Sequence, residues 1–243
     1  MAKKRLVIIT KFTKALKRIA IIPARGGSKR IPRKNTKLFF GKPILAYSIE
    51  AALKSGLFDE VMVSTDDNEI AEIAKQFGAK VPFLRSEKNS NDFATTADVL
   101  LEVLEWYRQN GAEFQQGTCI YACAPFVNSK LLQDSFAILE KEHCDCVFPS
   151  LAYSHPIQRA IKVSQNGKIE PFDVTNPNAR TQDLDKAYFD AGMFYTFDIG
   201  QLLQTKSLRT DNTFTIEVDD LHAQDIDNEN DWILAEMKYK LFS

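Results

Sequence analysis

Short apolar runs alternate with segments of helical spacing along this chain from Arg18 to Phe148. The runs predict buried strands at Ile19-Ala-Ile-Ile22, at residues 60–64, 80–84 and 118–122, and at Cys146-Val-Phe148. The third is placed near a sheet edge, because Pro82 has no N–H to donate. Between them lie helices. One starts at Gly41-Lys-Pro43 and runs to Ser55-Gly56, with Ile44, Tyr47, Ala51 and Leu53 as inward positions. A second is capped by Asp66 or Asp67 and stopped at Phe77-Gly78. A third, capped by Thr95 or Thr96, carries Val99, Leu100, Val103, Leu104, Trp106 and Tyr107. Asn128 or Ser129 caps a fourth. Parallel strands need crossover connections, so this alternation predicts a three-layer, doubly wound, mostly parallel α/β sheet. Ligands in such sheets sit at the carboxyl ends of the strands.

After Leu151 the rhythm changes. Residues 154–190 are polar and broken by Pro156, Pro171 and Pro177, which predicts an insertion. Asn166-Gly167 between Ala160-Ile-Lys-Val163 and Lys168-Ile-Glu170 predicts a hairpin. Its Ile161, Val163 and Ile169, with Ile157, Phe172 and Val174, need a surface to cover them. The α/β pattern resumes at residues 192–197 and closes with a helix over 228–241. Residues 1–17 precede the first strand and read as a dispensable extension, leaving 18–243 as one domain that contains the 154–190 insertion.

The first strand leads into the stretch that carries the most chemistry, Pro23-Ala-Arg-Gly-Gly-Ser-Lys-Arg-Ile-Pro-Arg-Lys-Asn35. Gly26 and Gly27 allow a close backbone approach, and Arg25, Lys29, Arg30, Arg33 and Lys34 surround them with positive charge. A solvated basic loop would look similar from charge alone. The glycine pair straight after a first strand points instead to a polyanion such as a triphosphate, cradled by N–H groups and clamped by guanidinium forks. Neither common phosphate motif, G-x-x-x-x-G-K-[ST] or G-x-G-x-x-G, is present.

The rest of the composition narrows the partners. Over 243 residues the net charge is −1, with 26% charged and 44% hydrophobic side chains, which argues against a nucleic-acid or membrane-surface binder. No apolar run is long enough to span a bilayer, and the basic start Met1-Ala-Lys-Lys-Arg5 is followed by too short an apolar stretch for a signal peptide, so a cytoplasmic protein is expected. Cys119, Cys123, Cys144 and Cys146 form no C-x-x-C pair and read as small reduced thiols.

Asp225-Ile-Asp227 is the second chemical feature. In extended backbone, residues i and i+2 point the same way, so both carboxylates would face one spot while Ile226 turns to the core. Two hard oxygen donors at this spacing suit Mg²⁺. Helix capping suits them equally, since Asn228-Glu-Asn-Asp-Trp-Ile-Leu234 follows.

Ala24-Arg-Gly-Gly-Ser-Lys-Arg-Ile-Pro-Arg-Lys-Asn35 resembles the nucleotide-binding signature of the acylneuraminate cytidylyltransferases, which couple CMP to nine-carbon keto sugar acids. The resemblance implies a nucleotide-diphospho-sugar-transferase-like, Rossmann-like fold. It implies that Ala24, Arg25, Gly26, Gly27, Ser28, Lys29, Arg30, Lys34 and Asn35 hold the CTP triphosphate, with Arg25 and Lys34 in catalytic roles. Arg85 would reach the base, with Asp92, Thr95 and Thr96 beside the cytidine; a surface ion pair is the alternative for Arg85, a helix cap for Thr96. An Asp-x-Asp before the last helix is where the family binds metal, which assigns Asp225 and Asp227 to Mg²⁺ and to catalysis, with Asp231 a less certain third. On the sugar side the resemblance implies Tyr121, Arg180, Gln182, Asp183, Tyr188, Asp190, Gly192 and Tyr195, with Arg180 facing the sugar carboxylate. It also implies a homodimer in which the insertion reaches the neighbour's sugar site.

Two departures bear on the substrate. Asp185 and Asp190-Ala191 stand where sialic-acid enzymes carry Pro and Asn, and Tyr121 stands at the position of a Gln. Ala124-Pro-Phe-Val127 and the Tyr188 to Tyr195 segment look instead like the branch acting on pseudaminic acid, although Met193 replaces a Gln expected there. N-acetylneuraminate and legionaminate are the alternative substrates. A non-catalytic nucleotide-sensing module is the alternative class, and it would need no carboxylate pair.

Overall fold

The computed structural model describes residues 16–172 and 180–242. Its strands are β1 (Arg18–Pro23), β2 (Leu38–Phe39), β3 (Lys42–Pro43), β4 (Glu60–Ser64), β5 (Gln116–Ile120), β6 (Cys146–Ala152), β7 (Ile161–Val163), β8 (Ile169–Pro171), β9 (Tyr188–Asp190), β10 (Phe194–Asp198) and β11 (Thr213–Glu217). The helices are α1 (Ile44–Ser55), α2 (Asn68–Gln76), α3 (Thr96–Gln109), α4 (Ser129–Lys141), α5 (Ile199–Thr205) and α6 (Glu229–Tyr239).

The main sheet has the order β11-β6-β10-β5-β1-β4, with β9 also paired to β6. β1 pairs in parallel with β4 and β5, and β6 in parallel with β11. β10 runs antiparallel between β5 and β6, and β9 antiparallel to β6. Thus β4, β1, β5, β6 and β11 run one way, and the expected mostly parallel sheet is present with two reversed strands.

The period of two along β1 divides the core. Ala20 and Ile22 pack with Leu45 and Ile49 of α1, Ile70 of α2 and Leu132 of α4. Ile19 and Ile21 face the other side, against Leu100 and Val103 of α3 and Leu202 of α5. Helices therefore cover both faces, as continuous apolar strand sequences require.

Helix ends follow the local chemistry. Asp67 caps α2 by accepting the Ile70 N–H at 3.0 Å, Asn128 caps α4, and Thr95 with Asp98 forms a capping box on α3. Gly56 closes α1 at φ 65°, where a Cβ would be strained. The Asn166-Gly167 hairpin forms as β7–β8, with Gly167 at φ 81°.

Several expectations need correction. Residues 80–84 form no strand: Lys80 bridges Val61 and Val63 through its own N–H and C=O, and the ladder stops there, before Pro82. Leu53 is exposed, its turn of α1 facing solvent. The strand expected over 118–122 begins at Gln116 and ends at Ile120. Short β9, β11 and α5 had no periodic signal long enough to read.

Residues 1–15 of the expected extension, and Val174 of the insertion, lie outside the described residues. Lys17 belongs with the core: it donates to Gln115 Oε1 at 2.9 Å, and its carbonyl accepts the Gln115 N–H at 2.9 Å. Among the described residues no helix is long and apolar enough to cross a membrane, and the four cysteines are free thiols.

Candidate active site

A cavity of about 520 Å³ opens at the carboxyl ends of β1 and β5. The loop after β1 supplies Arg25, Ser28, Lys29, Arg30, Lys34 and Asn35; Tyr121 follows β5, and Asp225 and Asp227 precede α6. Segments nearly two hundred residues apart meet here because they share an apolar anchor. Ile31 in the basic loop and Ile226 between the two aspartates are both buried in one cluster with Phe39, Ile44 and Trp232. Burying Ile31 turns the loop's cations outward, and burying Ile226 turns Asp225 and Asp227 onto the cavity wall. The segment 225–227 forms no sheet ladder, but it has the alternation expected of extended backbone.

The loop is braced at several points. Ala24, fully buried, extends the β1–β4 pairing by donating to the Ser64 carbonyl at 2.9 Å. Asn35 is buried, donates to the Arg25 carbonyl at 2.8 Å and accepts from the Cys123 thiol at 3.2 Å, so its amide holds the loop's shape. Gly26 owes its identity to a neighbour. A Cβ there would lie 2.7 Å from Asp67 Oδ2, and its N–H already donates to Asp66 Oδ1 at 2.9 Å. Around Gly27 there is open space.

Four of the five loop cations pair with a carboxylate, and the fifth, Lys34, bonds a main-chain carbonyl. Arg25 pairs with Asp92 at 2.7 Å, and Lys29 contacts the same carboxylate, which holds Asp92 below the usual carboxylate range. Arg30 reaches Asp227 Oδ1 at 2.8 Å. Arg33 pairs with Asp67 and Glu69, away from the cavity, and lowers the Asp67 pKa. Lys34 donates to the carbonyl of Ile226, the residue between the two aspartates, at 2.5 Å.

Asp225 is the outlier among the carboxylates. Desolvation by its surroundings, then the charge of Asp227, pushes its pKa up. Its carboxyl sits against Gly192, where a Cβ would approach Asp225 Cγ to 2.7 Å. Gly192 also needs its freedom at φ 65°. Asp231 is turned away: its carboxylate accepts the N–H groups of Asp227 and Asn228, both at 2.9 Å, as the partner in a capping box on α6.

A second cavity of about 260 Å³ shares Pro23, Arg25 and Tyr121 with the first and is lined by Arg85, Asp92, Thr95 and Thr96. Arg85 is buried and donates to Ser64 Oγ at 3.0 Å and to the Ser64 carbonyl. Burial lowers its pKa, and its bonds go to neutral oxygens, which removes the surface ion-pair reading. Thr95 is committed to its cap, bonding Asp98, whereas Thr96 Oγ1 lies 3.5 Å from Tyr121 Oη.

The cytidylyltransferase family profile matches residues 19–231. The chain belongs to the cytidylyltransferase family. It is 43% identical over 180 residues to the pseudaminic acid cytidylyltransferase of Campylobacter jejuni, covering 74% of this chain and 78% of that one. It is 31% identical over 230 residues to the CMP-N,N'-diacetyllegionaminic acid synthase of Legionella pneumophila, covering 92% and 96%. In three dimensions it is similar to a CMP:2-keto-3-deoxy-manno-octonic acid synthetase solved with CTP, with a TM-score of 0.66, 18% identity, and 93% and 98% of the chains covered. That likeness shows a shared fold.

The residues expected on the sugar side fall into two groups. Tyr121 and Gly192 line the main cavity, and Asp190 and Tyr195 lie just behind them, bonded to each other. Arg180, Gln182, Asp183 and Tyr188 stand apart from that cavity. Arg180 is exposed and pairs with Asp183 at 2.8 Å, Gln182 is exposed, and the Tyr188 hydroxyl donates to Glu217 at 3.0 Å. Sequence reasoning missed Cys123, which lines the cavity, and the Asp66–Asp67 clamp on Gly26. It also missed Arg209, whose partner is Asp190. Of these only Asp66 and Asp67 had a local signal, as candidate helix caps.

Proposed function

We propose that this cytidylyltransferase couples CTP to a nine-carbon nonulosonic acid, pseudaminic acid in the reading we favour, releasing pyrophosphate. The observation that carries it is one cavity lined both by Arg25, Lys29, Arg30 and Lys34 and by Asp225 and Asp227. The substrate rests on the similarity to pseudaminic acid cytidylyltransferases of Campylobacter jejuni, one of which is 43% identical over 78% of its length.

In this reading the anomeric 2-hydroxyl of the sugar forms a bond to the α-phosphorus of CTP. The bond from that phosphorus to the bridging oxygen of the β-phosphate breaks in line, and the hydroxyl proton passes to solvent. Arg25, Lys29, Arg30 and Lys34 bind the β- and γ-phosphates and stabilise the departing pyrophosphate, the first three exchanging their present carboxylate partners for phosphate oxygens. Arg85, held by Ser64, meets the base. Tyr121 orients the sugar between the nucleotide and Gly192. Holding the two reactants in register is the larger part of the catalysis.

Asp225 and Asp227 fit a divalent cation, Mg²⁺ in this proposal. They are hard oxygen donors on one wall, and the Asp225 pKa is raised first by desolvation and then by the charge of Asp227, both of which a cation would offset. When bound, the ion would supply charge neutralisation at the α-phosphate and acidify the attacking hydroxyl. No cluster of three or more His, Cys, Asp or Glu suited to metal occurs among the described residues, so substrate oxygens and water would complete the shell.

The second copy in this proposal is a homodimer partner. Ile161, Val163, Ile169 and Phe172 of the insertion are all exposed by half or more, on a hairpin too small to be stable uncovered. A two-fold partner would bury that patch on both subunits and bring Arg180, Gln182, Asp183 and Tyr188 toward the neighbour's sugar site. The test of the activity is pyrophosphate release with CTP and a panel of nonulosonic acids. Pseudaminic acid is expected to be the preferred acceptor; turnover with N-acetylneuraminate or legionaminate alone would reassign the substrate, and binding of CTP without turnover would favour a nucleotide sensor.

A further inference from the structure

A third cavity, of about 280 Å³, lies on the far side of Tyr121 from the basic loop. Thr96, Tyr121 and Tyr195 form its inner wall, and Lys206 and Arg209, from the turn after α5, form its rim. Tyr121 lines this cavity, the main one and the one holding Arg85, so a sugar placed against Tyr121 has this space directly beside it.

The polar groups at its base are ordered by Asp190. Asp190 Oδ1 accepts the Gly192 N–H at 2.9 Å, and Oδ2 accepts from the Tyr195 hydroxyl and from Arg209. Both oxygens of Asp190 are therefore engaged by the protein. Arg209 is steered by that carboxylate and by the Phe148 ring, whose centroid is 5.0 Å from the guanidinium carbon. A guanidinium has five N–H donors, and Asp190 and Tyr195 engage only its Nη2. With its charge balanced by Asp190, what Arg209 offers the cavity is a fork of N–H donors rather than an unpaired cation.

We infer that this cavity is the subsite for an acylamido group of the sugar acid, with Arg209 donating to the amide carbonyl and Asp190 acting as a positioning residue for Arg209. A neutral acceptor oxygen with a small apolar methyl matches a neutralised donor fork beside the Tyr121 and Tyr195 rings, which meet edge to face at 5.9 Å. Lys206 adds a cation at the rim, and the main cavity too has more cations than carboxylates, so the assignment is carried by the balanced fork and the two rings rather than by net charge. The inference rests on the proposed function, because it needs a nonulosonic acid against Tyr121.

The experiment measures kcat/KM with CTP for an acetamido-bearing nonulosonic acid and for its analogue with hydroxyl in place of acetamido. Wild-type turnover with either acid tests the function itself. Failure with every acid overturns that reading and the subsite with it. Given turnover, the wild type is expected to prefer the acetamido substrate. Arg209→Met should erode that preference at least tenfold by raising the sugar KM, leaving the CTP KM unchanged. The double variant Arg209→Gln with Asp190→Asn keeps neutral donors in place without an unbalanced charge, and it should retain more of the preference even if Arg209→Met folds poorly. Equal losses for both acids, a rise in the CTP KM alone, or an undiminished preference in both variants would overturn the subsite.

Discussion

At the scale of single residues, the site depends on side chains held by contacts that sequence does not display. Asp227→Ala is expected to lower kcat on the order of 10²-fold or more with the fold intact, and near-normal turnover at saturating Mg²⁺ would remove it from the metal site. Asp225 gives a pH signature. Its native pKa is raised, so the folded state holds the proton more tightly than the unfolded chain. The stability this confers is present below the unfolded carboxylate pKa and lost as pH rises through the native value. Asp225→Asn removes that loss, so melts in chelator should show a higher Tm than wild type near pH 7 and a smaller fall between pH 4 and 7. Gly192→Ala forces a left-handed residue and pushes Asp225 aside, which should cost at least about 1 kcal/mol and reduce turnover on the order of 10–100-fold. The loop cations and the Asp225–Asp227 pair were legible because charge, glycine and i, i+2 spacing are local. The Asp66–Asp67 clamp on Gly26 and the Asp190–Arg209 pair were not, because they join residues whose nearness exists only in the folded sheet.

At the scale of elements, the parallel part of the sheet was readable where apolar runs were continuous and helices carried caps. The reversal at β10 was not, since Phe194-Tyr-Thr-Phe-Asp198 reads alike in either direction. The segment over 80–84 shows why β-propensity misleads: two backbone bonds between Lys80 and β4 are all of the ladder that forms. The boundary of the N-terminal extension is set by hydrogen bonds that composition does not reveal. Removing residues 1–15 should leave activity and Tm unchanged. Extending the deletion through Lys17 takes away both of its bonds to Gln115 and should destabilise the protein by about 1–3 kcal/mol in chemical denaturation.

At the scale of the whole molecule, one apolar cluster ties the basic loop to the aspartate segment, and one apolar hairpin stands uncovered. The first explains why a single chain brings the basic loop and the aspartate pair to one cavity. The second predicts a dimer by light scattering at micromolar concentration, against a chain mass of 27.5 kDa. Ile161→Glu or Val163→Glu should dissociate it, and a wild-type monomer would show that the insertion folds against its own sheet. The most direct measurement is pyrophosphate release by the purified protein with CTP, Mg²⁺ and pseudaminic acid. The account predicts one pyrophosphate and one CMP-sugar per acid consumed, with chelator abolishing both. Absence of pyrophosphate with pseudaminic acid and with every other nonulosonic acid tried would contradict it.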